Sequence, residues 1–236
     1  ARPPLPPRAM SGLPEASGLH HAELQLAAVH HLRWYPGQIT ITDDALTLDG
    51  WALAAWEDPA QLRFLVNGHD FDELAWPLPS PDLLPLFGDV PNAGAARFFA
   101  RHRRRPDRPL FPEGFVRFNV TAQFGEHALS HRTAWCLADP ATEPGLPADA
   151  QIARVIGAPD AYAYRLGGAT IAHRFDAYLR HRFDRRLGDF ASVLDWGCGA
   201  GRLTRYLPGP PGRITGIDID ADNIAACQRL LPGRRF

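Results

Sequence analysis

Val193-Leu194-Asp195-Trp196-Gly197-Cys198-Gly199-Ala200-Gly201-Arg202, answered a few residues on by Ile214-Thr215-Gly216-Ile217-Asp218, is the stretch from which the chain is read. An apolar strand over Phe190–Leu194 runs into a glycine-rich turn. A helix over Arg202–Leu207 is expected to leave it, and a second strand over Arg213–Asp218 ends on an acid. Glycine is needed where backbone takes positive φ or lets another group approach closely. Three of them at alternate positions (197, 199 and 201) suit a chain bending around the end of a small molecule. The helix is expected to aim its free N–H groups and positive dipole end into the same space.

Two kinds of nucleotide ligand use such a turn. The dinucleotide fingerprint is G-x-G-x-x-G/A, with pyrophosphate at the helix N-terminus. Gly197 and Gly199 open that pattern, but Arg202 stands at its last position. Asp195 at the mouth of the turn would repel pyrophosphate and favour a ligand carrying an ammonium and a sulfonium. Asp218, seventeen residues beyond Gly201, ends a strand where an acid can accept hydrogen bonds from both ribose hydroxyls. The pattern therefore points to an adenosyl ligand without a pyrophosphate.

Residues 191–222 resemble motifs I and II of the class I S-adenosylmethionine-dependent methyltransferases, whose first motif is typically D/E-x-G-x-G-x-G. The resemblance implies S-adenosyl-L-methionine as cofactor, bound by Asp195, Gly197, Cys198, Gly199, Gly201, Asp218 and Ile219. The Gly197–Gly201 backbone would lie against the methionine part, Asp218 would hold the ribose, and backbone at Ile219 would meet the adenine. Cys198 reads as filling a small position in the turn, with a reactive thiol as its alternative role. A helix ahead of the first strand covers the cofactor in many members, so that Tyr164 or Arg174 is a candidate for the methionine carboxylate, with packing and solvation as their alternative roles. The methyl acceptor, whether small molecule, glycan or protein, is not specified. Acceptor-site residues of this family commonly follow its fourth strand, so no catalytic residue is assigned.

Composition narrows the rest. The chain has 236 residues, 45% of them hydrophobic, enough for real cores, and a net charge of −1, which gives no general attraction to nucleic acid or anionic membrane. Every cation is an arginine, and with plentiful Ala, Pro and Gly this suggests a GC-rich bacterial gene. The three cysteines (Cys136, Cys198 and Cys227) form no C-x-x-C pair, so neither a disulfide framework nor a metal site is expected. No apolar run is long enough to span a membrane and the first residues lack a signal core, so a cytoplasmic location is expected.

In chain order, residues 1–18 hold five prolines and are expected to form an extended tail. From 19 to 138 the period is two: Leu24 and Leu26, Ile39 and Ile41, Leu46 and Leu48, and then Leu62–Val66 running into Asn67-Gly68, a strong hairpin signal. Phe115–Thr121 and Ala128–Leu137 read as two more strands. Trp76–Asn92, with five prolines, is expected to be irregular. The run Arg101–Arg108 reads as a solvated hairpin or loop, or else as an anion site. Trp34, Trp51, Trp56, Trp76 and Trp135 are expected to pack, and His20-His21 and His30-His31 make poor chelates on a strand. Asn119-Val120-Thr121 has glycosylation spacing but falls inside a strand.

Residues 139–147, with three prolines and a glycine, form a linker. Beyond it come a helix over Ala148–Ile156 and another after Gly167-Gly168, with Ile171, Phe175, Tyr178, Leu179 and Phe183 as its apolar stripe. A third helix capped by Asp220 or Asp222 and the opening of a third strand at Arg234-Arg235-Phe236 complete the chain.

The expected fold class is mixed: an N-terminal antiparallel β-sandwich at 19–138, weakly similar to immunoglobulin-like modules, followed at 148–236 by the first part of an α/β Rossmann-like methyltransferase domain. Two parallel strands and their helices cannot cover both sheet faces, so the domain is expected to be truncated after its second strand and helix, and to bind cofactor weakly or not at all alone. The alternative is a carbohydrate- or partner-binding sandwich with a non-catalytic Rossmann-like remnant. A nicotinamide dehydrogenase is disfavoured by Arg202 and Asp195.

Overall fold

The computed structural model describes residues 32–54, 61–124, 127–131 and 134–236. The proline-rich tail, Leu24, Leu26, both histidine pairs and Trp56 lie outside them. The chain divides into two compact units, residues 32–65, 69–104 and 119–131 in the first and 66–68, 105–118 and 134–236 in the second.

The first unit is antiparallel. Strands β1 (Leu32–Ile41) and β2 (Ala45–Ala54) pair with Trp34 opposite Ala52 and Ile41 opposite Leu46. The period-two residues Leu46 and Leu48 are buried, as a half-covered strand requires. Strand β3 (Leu62–Val66) turns at Asn67-Gly68, at φ 50° and 85°, into the two-residue strand β4 (His69–Asp70). Two more strands follow, β5 (Glu73–Leu78) and β6 (Arg97–Arg103), giving one sheet in the order β1-β2-β6-β5.

One expectation is corrected here. Part of the proline-rich excursion is regular: Glu73–Leu78 is an edge strand whose register shifts between Ala75 and Leu78, around Pro77. An edge tolerates proline because its missing N–H faces away from the ladder. A single helical turn, Leu84–Phe87, follows, and Leu83, Ala93 and Ala96 pack with Leu53. The basic run fits the hairpin reading, since Arg105 bridges Arg108 antiparallel across a tight turn. Arg101–Arg103 belong to β6, and both arginines reach Glu73, Arg103 at 2.6 Å and Arg101 at 4.0 Å.

Strand β7 (Phe115–Phe124) pairs through Thr121–Phe124 with β8 (His127–Ser130), and a second sheet runs β4-β3-β7-β8. Phe64 of that sheet meets Phe98 and Trp76 of the first, ring centroids 4.3 and 5.1 Å apart. Trp34 is buried and Trp51 lies against Tyr35 and Phe87, so these tryptophans pack. The single strand expected over Ala128–Leu137 is two, because β9 (Trp135–Ala138) pairs instead with Phe115–Phe118 in the second unit.

The rest of the second unit is helical and parallel. Helix α1 (Asp149–Ile156) ends at Gly157, φ 83°. Helix α2 (Ala161–Phe183) starts on the Asp160 carboxylate, which accepts from the Ala163 N–H at 2.9 Å. It therefore runs through Gly167-Gly168, where a start had been expected. A β-carbon at Gly167 would collide with the Arg202 guanidinium. One at Gly168 would collide with the Arg202 carbonyl and stand 2.7 Å from Tyr206. The glycines permit close approach, which outweighs a helix-propensity cost of about 1 kcal/mol each.

The expected stripe of α2 is corrected as well. Phe175, Tyr178 and Phe183 are half exposed, whereas Tyr164, Leu166, Ala169 and Ala172 are buried. The covered face belongs to the half that carries small residues. Ala169 and Ala172 pack with Cys136, Ala138 and Tyr206, while Leu179 joins Leu187, Leu207 and Ile214.

Strands β10 (Val193–Trp196) and β11 (Ile214–Ile217) are parallel, Val193 opposite Ile214 and Trp196 opposite Ile217. A parallel bridge from Thr215 to Arg235 opens the third strand. Helix α3 (Ala221–Leu230) is capped by Asp220, which accepts from the Asp222 and Asn223 N–H groups. Leu194 and Trp196 stand 57% and 81% exposed on one face of β10.

Candidate functional site

The site lies at the carboxyl ends of β10 and β11, where parallel sheets receive ligands. Their register brings Trp196 level with Ile217, so the residues that follow each strand meet. Gly197 and Cys198 both donate their N–H to the Ile217 carbonyl, at 2.8 and 3.0 Å. One residue on, the Asp218 carboxylate accepts from the Gly199 N–H at 2.8 Å through Oδ2 and from the Asp220 N–H at 2.9 Å through Oδ1. Each oxygen keeps a further lone pair for an incoming hydroxyl. Asp195 sits at the other end of the bend, its Oδ2 accepting from the Thr204 hydroxyl at 2.5 Å. Both acids thus flank the turn.

Gly197, Gly199 and Gly201 all take positive φ, at 73°, 53° and 80°. The space beside them differs. An added β-carbon at Gly197 would meet nothing within 4 Å, so that side is open to a ligand. At Gly199 it would touch Val155 of α1 at 3.0 Å. At Gly201 it would stand 2.7 Å from Leu231 and 3.2 Å from the Cys227 sulfur. The second and third glycines therefore admit neighbouring helices.

The turn is also held by groups that spacing did not reveal as holders. Tyr164, fully buried in α2, donates its hydroxyl to the Ala200 carbonyl at 2.8 Å. Burial pushes its pKa up to about 12, so it stays a neutral donor. That hydroxyl is spent on the turn, which removes Tyr164 from the candidates for the methionine carboxylate. Arg174 is exposed on α2. Arg205, buried, donates to the Gly201 carbonyl at 3.2 Å and to the Pro144 and Gly145 carbonyls. Glu143 binds Arg165 and the Tyr206 hydroxyl, so the 139–147 stretch is fastened to this unit. Desolvation, and then Glu143, raise the Tyr206 pKa.

One expectation fails at this site. The residues after Gly201 form turns and a short 3-10 segment, Thr204–Tyr206, and no α-helix leaves the bend. Pro208 closes the stretch too soon for an α-helix to propagate. The dipole expected at the site is therefore missing, and backbone N–H groups and carboxylates supply its polarity. Arg202 turns away toward Gly167 of α2, with its Nε buried and without a hydrogen-bond partner among the described residues.

Cys198 is buried in the turn, and Ile219, just past Asp218, is fully exposed. Arg154 of α1 pairs with Asp220 at 2.7 Å, which draws that carboxylate below its ordinary pKa and steadies the loop carrying Asp218. The chemistry on offer is an anionic, hydroxyl-accepting rim over an open glycine backbone. Residues 194–236 match a family model described as a methyltransferase domain. No curated protein matches the chain.

Proposed function

We propose that the 148–236 segment binds S-adenosyl-L-methionine and serves methyl transfer as a Rossmann-like domain, with an N-terminal β-sandwich as accessory module. The observation that carries this is the hydrogen bond from the Gly199 N–H to Asp218, which brings the turn and the strand-end acid to one place. The residues fit the cofactor. Gly197 leaves room for close backbone approach, the Asp218 lone pairs suit vicinal ribose hydroxyls, and Asp195 and Asp218 favour a cationic donor over a pyrophosphate.

When bound, the sulfonium would supply an already activated methyl group. What the chain's own residues contribute is placement. Tyr164, Val155 and Arg205 fix the turn, and the Arg154–Asp220 pair fixes the loop after β11. Fixing the donor lowers the entropic part of the barrier, the main demand of an in-line displacement. Asp195 and Asp218 hold and do not act as a base. The acceptor, whether small molecule, glycan or protein, is left open.

Calorimetry with S-adenosylhomocysteine and with nicotinamide dinucleotide tests the proposal. Binding by this chain alone should be weak, and the former should still be preferred at least roughly tenfold, about 1.4 kcal/mol, a preference that Asp218→Ala abolishes. Equal heats for both ligands, or no response to Asp218→Ala, would overturn it.

A further inference from the structure

Two of the three cysteines, Cys198 and Cys227, lie 29 residues apart in sequence and side by side in the fold. Cys198 is in the glycine turn and Cys227 is on α3. Both Sγ atoms approach one acceptor, the Gly199 carbonyl oxygen, at 3.5 Å from Cys198 and 3.3 Å from Cys227. They fill a wedge made by absent side chains, since added β-carbons would stand 3.2 Å from the Cys227 sulfur at Gly201 and 2.9 Å from the Cys198 sulfur at Gly216. Packing alone would be served by alanine or serine. Two thiols that share one carbonyl oxygen at the bend carry a chemistry that neither substitute has.

We propose that Cys198 and Cys227 are an oxidative modification site: hydrogen peroxide converts them into an internal disulfide that strains the 197–201 turn and weakens ligand binding there. In the first step a cysteine sulfur attacks one peroxide oxygen. The O–O bond breaks, the sulfur becomes a sulfenic acid, and the departing oxygen leaves as water with the thiol's proton. In the second step the other sulfur attacks the sulfenic sulfur. The S–S bond forms, the S–O bond breaks, and hydroxide leaves as water with the second thiol's proton. Two thiols and one peroxide thus give one disulfide and two waters, with two electrons passing to the peroxide.

Cys227 is the sulfur better suited to attack first, because the thiolate is the nucleophile. Its pKa is drawn down by Cys198 and then Arg205 against its burial, while that of Cys198 is raised. Cys136 is unsuited, because it sits in a separate cluster with Ala138, Ala169, Ala172 and Tyr206.

A disulfide holds its sulfurs about 2.05 Å apart, and in this proposal closing that bond draws the turn and α3 together. Gly199, whose N–H holds Asp218 and whose carbonyl the thiols share, is moved by that contraction. This consequence rests on the cofactor proposal, whereas bond formation does not.

The experiment treats the chain with hydrogen peroxide and reads denatured thiol content, intact mass and linked peptides. Expected are loss of two of the three thiols, a mass lower by two hydrogens, and a Cys198–Cys227 peptide. Cys136→Ser should leave the link intact, and Cys198→Ser should leave a sulfenic acid on Cys227 that dimedone traps. Persistence of all three thiols, or a link involving Cys136 or a second chain, overturns the assignment. Oxidised chain should bind S-adenosylhomocysteine at least roughly fivefold more weakly, reversibly with dithiothreitol. A link that leaves binding unchanged overturns the proposed strain. A link formed in a chain that binds no homocysteine ligand in either state supports the modification site and counts against the cofactor proposal alone.

Discussion

Two glycine turns close strands in this molecule, Asn67-Gly68 after β3 and Gly197–Gly201 after β10. Both rely on positive φ, yet they are built oppositely. Gly68 has open space where a side chain would be, and the Asn67 side chain satisfies the local backbone by binding the Leu110 carbonyl and the Arg117 N–H. The second turn is crowded on one side by α1, α3 and Tyr164, and open on the other at Gly197. A turn that only reverses the chain asks for a backbone conformation. A turn that also presents a surface must be held by its neighbours.

Substitution at these glycines separates the two cases most sharply. Gly201→Ala combines left-handed strain of roughly 1–2 kcal/mol with overpacking of roughly 1–3 kcal/mol against Leu231 and Cys227, for an expected loss of about 2–5 kcal/mol in urea unfolding. Gly68→Ala should cost only the strain, roughly 1–2 kcal/mol. Equal losses would erase the distinction between crowded and open turns. Gly168→Ala is next. In an ordinary helix it would stabilise by roughly 0.5–1 kcal/mol. Here the Arg202 carbonyl and Tyr206 reverse the sign, and thermal melting should show a loss of about 1–3 kcal/mol.

Tyr164→Phe keeps the packing and removes one hydroxyl. It leaves the Ala200 carbonyl unpaired and should cost about 1–2 kcal/mol, with weaker S-adenosylhomocysteine binding by calorimetry. Unchanged binding would mean that the turn needs no clamp from α2.

The smallest effect concerns His173, whose pKa is lowered by burial first and then by Arg117 and Arg180. The unfolded chain takes up this proton more readily than the folded one. His173 therefore destabilises progressively as pH falls below about 6.5, and the loss levels off once the folded imidazole is itself protonated. His173→Gln should flatten that limb of the melting temperature against pH. An unchanged slope would assign it to other groups.

The legible parts of the sequence were those where local chemistry decides. Asn67-Gly68 by its positive φ, Gly157 after α1 and Asp220 before α3 shape their own stretch of backbone and stand where their residue types require. Residues Asp195, Gly197–Gly201 and Asp218 likewise came together because parallel pairing of two short strands leaves few other arrangements. Hidden from one-dimensional reading was whatever depends on a distant partner. Gly167-Gly168 looked like a helix start, since nothing in sequence announces Arg202 and Tyr206 pressing on them. Glu73–Leu78 looked irregular because proline masks an edge strand. The 3-10 segment at Thr204–Tyr206 shows Pro208 overriding a helical expectation, and Tyr164 gave no sign of its bond to Ala200.

Asp218 carries a consequence beyond its own position. Its two oxygens already grip the amides of Gly199 and Asp220, so the carboxylate cannot swing and the loops after both strands share one anchor. A guest sugar would meet a rigid cradle and lose little rotamer freedom on docking. Its arrival would be felt at two amides nineteen and two residues away from that acid. In a nuclear magnetic resonance titration the Gly199 and Asp220 signals should move along one common curve.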